Sequence, residues 1–246
     1  MTGTAFDRLA ARYEELWSAT FVGRSQREQV WRCIDPLFRR GQRVLDLGCG
    51  IGDDALHLMA RGIAVDAIDA SAGMVREARS RGIVARQLAI EELTGIEGRF
   101  DGAISNFGAL NCVARLKPVA EELARLILPG GALAMCVMGR GCAWEMAHYF
   151  PSRKAFRRFR GAGWQPAAGL PHIDIYYPTI RQMARAFAPH FRFVRFTGIG
   201  LFVPPSYING FSRAAVTRFA ALDRQFAHLP ILRALADHRL LIFRRV

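Results

Sequence analysis

The chain has 246 residues, 51% of them hydrophobic, enough to bury one substantial core and to exclude a peptide-sized module. Its 34 Lys plus Arg against 21 Asp plus Glu give a net charge of +13; only Lys117 and Lys154 are lysines, an arginine bias that a GC-rich genome produces without selection for an acidic partner. Five cysteines without a C-x-x-C pair argue against a disulfide framework or zinc site, and the acid-bearing amphipathic N-terminus is not a secretory signal, so a cytoplasmic location is expected.

Residues 5–39 read as two helices, the first with Phe6, Leu9, Ala10, Tyr13, Leu16 and Trp17 at helical spacing. From Arg43 the pattern changes to short apolar runs, each followed by a helical segment. VLDLG (44–48), IAVDAID (63–69), IVARQLA (83–89) and FDGAISNF (100–107) are the first four strands. ALAMCVM (132–138), after a turn at Pro129-Gly130-Gly131, is the fifth. Strands and helices alternating at these lengths predict an α/β fold, a mostly parallel sheet with helices on both faces. Residues 139–177 break the rhythm with a basic, aromatic-rich insertion. A short helix (179–187) leads to the strand FRFVRFTGIG (191–200). A second insertion (201–237) holds the apolar loop LFVPPSYINGF and a helix near 213–227, and HRLLIFRRV closes the chain as a last strand. The longest uncharged stretch, 196–212, contains Pro204, Pro205 and Asn209 and is not a membrane-spanning helix.

The run VLDLGCGIGDDALHL puts Gly48, Gly50 and Gly52 where strand one meets a helix, and residues without a Cβ there let a ligand approach the backbone. A dinucleotide-binding loop reads G-x-G-x-x-G and seats a pyrophosphate on the helix N-terminus. Here the third glycine comes one residue early. Asp53 and Asp54 occupy the first turn, where two carboxylates suit the helix dipole but repel a pyrophosphate. The sequence thus favours a ligand without phosphate. Asp69, at the end of strand two, stands where an acid reaches a ribose diol.

VLDLGCGIGDD followed by VDAIDASAGMVREAR resembles the first two motifs of class I, Rossmann-like S-adenosylmethionine-dependent methyltransferases of the small-molecule type. The resemblance implies a seven-stranded sheet with an antiparallel last strand, S-adenosyl-L-methionine as cofactor, and a single domain over 1–246. Residues 1–40 would form a helical cap, 41–138 the cofactor-binding core, and 139–190 and 201–237 lid insertions. It implies that the loop Gly48, Cys49, Gly50 and Gly52 holds the methionine portion and that Asp46 orients its ammonium. Asp69 would bind the ribose, and Ala70 and Met74 would border the adenine. QLAIEEL has Ala89 where the family often has an acid, so Ile90 (through its backbone N–H) or Glu91 stands in. Asn106 and Phe107, after strand four, would border the reactive methyl, and Tyr13 would cover the cofactor.

Methyl transfer from a sulfonium is an in-line displacement, so positioning the acceptor dominates, and a base helps only where the acceptor must lose a proton. Acceptor-side candidates are Trp144, His148 and Tyr149 in CAWEMAHYF, with His172, Tyr176 and Tyr177 further on. The six histidines show no metal-ligand spacing, so no metal is expected. PSRKAFRRFR reads as a solvated lid helix, or as a grip on an acidic substrate, a carrier protein or a membrane surface. The leading reading is methyl transfer to an O or N atom of a small, partly apolar metabolite. A lipid, quinone or carrier-bound acyl acceptor is the runner-up. From another class comes a non-catalytic nucleotide- or nucleic-acid-binding protein, disfavoured because no recognised nucleic-acid module is present. The insertions and the N-terminal helix are expected to meet above the carboxyl ends of the strands.

Overall fold

The computed structural model describes residues 2–160, 162–164, 174–208 and 210–246. Helix α1 (Thr2–Tyr13) runs through a π-helical turn (Glu14–Ser18) into α2 (Phe21–Ile34), which starts where Thr20 Oγ1 accepts the Gly23 N–H at 3.0 Å. The alternating region follows as β1 (Arg43–Leu47), α3 (Asp53–Ala60), β2 (Ala64–Asp69), α4 (Ala72–Ser80), β3 (Val84–Gln87), β4 (Phe100–Ser105), α5 (Leu116–Leu126) and β5 (Ile127–Met138). The first insertion folds as α6 (Ala143–Tyr149), a 3-10 helix (Arg153–Arg160) and a hairpin of β6 (Ala162–Trp164) and β7 (Asp174–Tyr176). Then come α7 (Ile180–Phe187), β8 (Phe191–Ile199), α8 (Arg213–Phe226) and β9 (His238–Arg245).

Seven strands make one sheet in the order β3-β2-β1-β4-β5-β9-β8. The first five are parallel, and β9 inserts antiparallel between β5 and β8. The expected α/β sheet with its antiparallel last strand is therefore present. Period-two alternation sorts side chains between two cores. Leu45, Leu47, Leu133 and Met135 join α5 and α7 on one face, whereas Val44, Val65, Ile104 and Ala134 join α2, α3 and α4 on the other. Asp46 has the parity of Val44, so it points to the α2–α3 side.

Two local expectations differ from the structure. Pro129-Gly130-Gly131 is not a turn ahead of a strand: β5 already pairs at Ile127 with Phe100, bulges through the Pro-Gly-Gly, and pairs again at Ala132 with Gly102. The β6–β7 hairpin was not expected, because three-residue strands carry too little alternation to be read. Among the described residues no helix is long and apolar enough to cross a membrane, and no cluster of three His, Cys, Asp or Glu could hold a metal ion.

Candidate active site

The glycine loop leaves β1 by hooking its backbone onto β2: the N–H groups of Gly48 and Cys49 both donate to Ile68 O, at 2.8 and 2.9 Å. Gly48 has φ +73°, and a Cβ there would lie 2.3 Å from that of Ala109, so the position tolerates only glycine. Gly50 donates its N–H to Asp69 Oδ2 at 2.9 Å, while Ser71 N–H donates to Asp69 Oδ1, also at 2.9 Å. Each oxygen of this half-buried carboxylate keeps lone-pair capacity for a further donor. Burial pushes its pKa up, against those two hydrogen bonds.

Asp46 is 1% exposed, and its Oδ2 has no hydrogen-bond partner among the described residues. Burial first, then neighbouring Asp54, raise its pKa well above the usual carboxylate range, with Arg27 opposing. A buried acceptor without a partner is costly, and a cationic group placed beside it would relieve that cost. Buried Asn106 adds two more partnerless atoms, Oδ1 and Nδ2, among the described residues. Phe107 follows at φ +51°, uncommon for a non-glycine residue. Its ring is held edge-on by Trp17 (4.6 Å between centroids) and His238 (5.4 Å), with the Arg27 guanidinium 5.0 Å from its centroid.

The acids that open α3 are matched by cations. Arg27 pairs with Asp54 at 2.5 Å and Asp53 at 3.4 Å, and Arg81 pairs with Asp53 at 2.9 Å. Trp31 Nε1 and Ser18 Oγ donate to Asp54 and Asp53 at 2.7 and 2.6 Å. The helix start is thus occupied by the protein's own charges, in keeping with a ligand that brings no phosphate. Above the loop lies α1: Asp7 Oδ1 accepts from Ser71 Oγ (2.6 Å) and Gly73 N–H (2.8 Å), and Ala10 packs with Ile51 and Met74. Tyr13 thereby comes over Gly50, and burial pushes its hydroxyl up to about 12. Met74 lies in that small core, whereas Ile90 belongs to the core under α5, Ala70 is half-buried and Glu91 is exposed.

The two insertions meet one another through Trp144. Trp144 donates Nε1–H to Phe202 O at 3.0 Å and packs edge-on against Phe211 and Phe219. His148 is exposed on α6, edge-on to Tyr149. His172 lies outside the described residues. The residue of α6 that turns inward is Glu145. It accepts from Arg158 Nε at 2.8 Å and Tyr207 OH at 2.7 Å, and Arg158 also reaches Asp237 Oδ1 at 2.8 Å. Arg158, from the run expected to be solvated, is buried. Asp237 Oδ2 is 3.2 Å from His238 Nδ1. Burial would raise the Asp237 pKa, but His238 and Arg158 hold it well below the usual carboxylate range. Sequence reasoning missed Glu145, Arg158, Tyr207, Asp237 and His238; the one available signal was an Asp-His pair just ahead of the apolar run Leu240–Phe243 of the final strand. Asn111 was also missed, although it lies only a few residues past the fourth strand. It donates to Tyr176 O at 2.6 Å and accepts from Met138 N–H at 2.8 Å, tying the loop after β4 to β5 and β7.

Residues 44–131 match the family described as methyltransferase domain. The matched stretch runs from β1 into β5, and it is there that the chain is similar to that family. A demethylmenaquinone methyltransferase of Clavibacter sepedonicus is 31% identical over 140 residues, 53% of this chain and 55% of that protein. A malonyl-(acyl-carrier protein) O-methyltransferase of Pseudescherichia vulneris is 36% identical over 110 residues, 44% of this chain and 43% of that protein. The chain spans about half the length of the curated relatives it matches. In fold, the chain superposes along the whole of both chains on a solved S-adenosylmethionine-dependent methyltransferase of Thermotoga maritima, a possible histamine N-methyltransferase, with TM-score 0.64 and 15% identity.

Proposed function

We propose that the protein transfers a methyl group from S-adenosylmethionine to an oxygen or nitrogen atom of a small, partly apolar acceptor. The observation that carries this is Asp46, a buried carboxylate whose Oδ2 lacks a hydrogen-bond partner among the described residues, beneath a glycine loop that ends on Asp69. Bound there, the cofactor supplies an electrophilic methyl on a positively charged sulfur. Gly48, Cys49, Gly50 and Gly52 hold its methionine portion, Asp46 orients the ammonium, and Asp69 accepts from the ribose hydroxyls. Ala70, Ile90 and Glu91 border the adenine, with Met74 supporting that wall from the core. Asn106 and Phe107 bound the methyl side, and Tyr13 closes it from above and excludes water.

On the acceptor side His238 is the group to hold a proton. Asp237 Oδ2 stands 3.2 Å from Nδ1, so Nε2 is the nitrogen left to take the proton of an acceptor hydroxyl, and the neighbouring carboxylate charge would stabilise the imidazolium that results. Phe107 and Trp17 supply an apolar wall beside it. Trp144 ties α6 to Phe202 of the second insertion, and His148 and Tyr149, edge-on to each other on α6, are kept as acceptor-side candidates. Calorimetry with S-adenosylmethionine and its demethylated product tests the assignment. Wild type should bind, and Asp69→Ala should weaken binding by about 1.5–3 kcal/mol, the range for hydrogen bonds to a charged group. Tight NADH binding without a response to either methionine cofactor would refute it.

A quinone, lipid or carrier-bound acyl acceptor is the second reading. The names of the relatives above favour it, as does the exposed aromatic surface of the first insertion.

A further inference from the structure

The 3-10 helix after α6 splits its cations between two environments. Arg158 is turned inward and neutralised by Glu145 and Asp237, whereas Arg153 and Lys154 are exposed, and no carboxylate among the described residues pairs with them. Beside them stand Phe150 at 75% exposure, Phe156 at 51% and Phe159 at 50%, the last two with ring centroids 6.1 Å apart. Large apolar side chains concentrated on so short a segment are unusual on a water-facing surface, where they normally occur singly. The sequence from Met146 to Ile173 contains no acidic residue, and adds Arg157 and Arg160 to the same run.

We propose that this segment is a docking surface for an anionic phospholipid bilayer. Exposed phenyl rings seat at the headgroup and acyl boundary, while neighbouring cations are held by lipid phosphates, and neither signal alone gives stable attachment. An acidic protein partner would use the cations but offers no reason for three exposed phenylalanines. Docking needs no cofactor. Its consequence for the acceptor rests on the methyl-transfer reading. The Arg158 side chain ties the docked segment directly to Asp237, the neighbour of His238, so the acceptor end of the site would open at the lipid surface.

Flotation of the full chain with vesicles of phosphatidylcholine alone, or mixed with phosphatidylglycerol, tests the surface. Partitioning should be about tenfold stronger on the anionic vesicles, as expected of combined charge and insertion, and should weaken with salt. Phe156→Ser with Phe159→Ser should lower it about tenfold with the charge intact, and Arg153→Gln with Lys154→Gln should abolish the preference for phosphatidylglycerol. S-adenosylmethionine binding by calorimetry should be unchanged in both double variants, which also reports that they fold. Wild type that ignores both vesicles, or double variants that float as wild type does, would overturn the proposal, as would binding to an acidic acyl carrier protein with none to vesicles. Vesicle binding without cofactor binding would leave the surface standing and remove the methyl-transfer reading instead.

Discussion

Asp46 has a dual consequence, because an isolated buried carboxylate weakens the fold that carries it and waits for a cation. Asp46→Asn removes the buried charge while keeping the shape, so without cofactor the variant should melt no lower, and by this argument higher, than wild type. The same change should cost about 1.5–3 kcal/mol of S-adenosylmethionine affinity, the range for a charged hydrogen bond. Since burial raises the folded-state pKa of Asp46, its contribution to apo stability is full below the ordinary carboxylate pKa and is lost as pH rises through the raised value. A bound ammonium favours the ionised form. Between the two values binding should therefore release a proton, and affinity should climb with pH. Calorimetry in two buffers of different ionisation enthalpy reads that proton, and Asp46→Asn should abolish it; equal heats for wild type in both buffers would show that Asp46 does not face the cofactor.

A second contrast at this scale separates His238 from His148. His238→Gln should lower kcat by about 10²–10⁴-fold, the usual contribution of a positioned acid or base, with cofactor affinity unchanged. His148→Ala, on the exposed side of α6, should keep full turnover. The reverse ranking would return the acceptor side to α6. The proposed cofactor half could be assembled from the sequence because Gly48, Asp46 and Asp69 belong to one contiguous strand-loop-helix-strand unit, where spacing sets geometry. His238 was not, because Phe107 and His238 meet across the sheet, 5.4 Å apart between ring centroids, and spacing along the chain says nothing about such a meeting.

At the scale of elements, the central strands β1, β4 and β5 were readable because buried parallel strands are near-continuous apolar runs between helical segments. The insertions were not, since what holds them is polar. Asp223 on α8 accepts from the N–H groups of Leu201, Phe202 and Val203 and from Gln29 Nε2 on α2, which pins the apolar loop. Arg158 likewise joins the 3-10 helix to α6 through Glu145 and to β9 through Asp237. Read as sequence, it is one cation in a run of five, and nothing local distinguishes the one that turns inward. Removing one partner from a buried ion network leaves charges uncompensated, so Arg158→Met should cost about 3–5 kcal/mol in denaturant unfolding. Asp237, whose pKa is depressed by His238 and Arg158, contributes stability that is present above the ordinary carboxylate pKa and lost as pH falls through the depressed value. The variant should therefore also flatten the acid limb of the stability profile. Wild-type stability in Arg158→Met would mean that the network holds nothing together.

Across the whole molecule stability is distributed unevenly. The two sheet faces carry the large cores, whereas the described side chains of α1 are attached through smaller clusters, Phe6 with Ile175 and Tyr177 and Ala10 with Ile51 and Met74, through the two hydrogen bonds to Asp7, and through the ring of Tyr13 against Trp17. An element held by clusters this small should open more often than the sheet beneath it, in the way that lids are drawn from the least stable parts of a fold. Tyr13 covers Gly50, so a ligand seated on the glycine loop would add contacts to α1 and almost none to the interior of β4 or β5. Amide hydrogen exchange should then show residues 2–18 exchanging fastest among the regular elements without cofactor. S-adenosylmethionine should slow them more than it slows the strands. Asp7→Ala, which removes the acceptor for Ser71 Oγ and Gly73 N–H, should raise exchange in α1, leave the sheet protected and weaken cofactor binding through the cap alone. Equal protection of α1 with and without cofactor would show that the N-terminal helix is a fixed part of the fold and that the site closes by some other element.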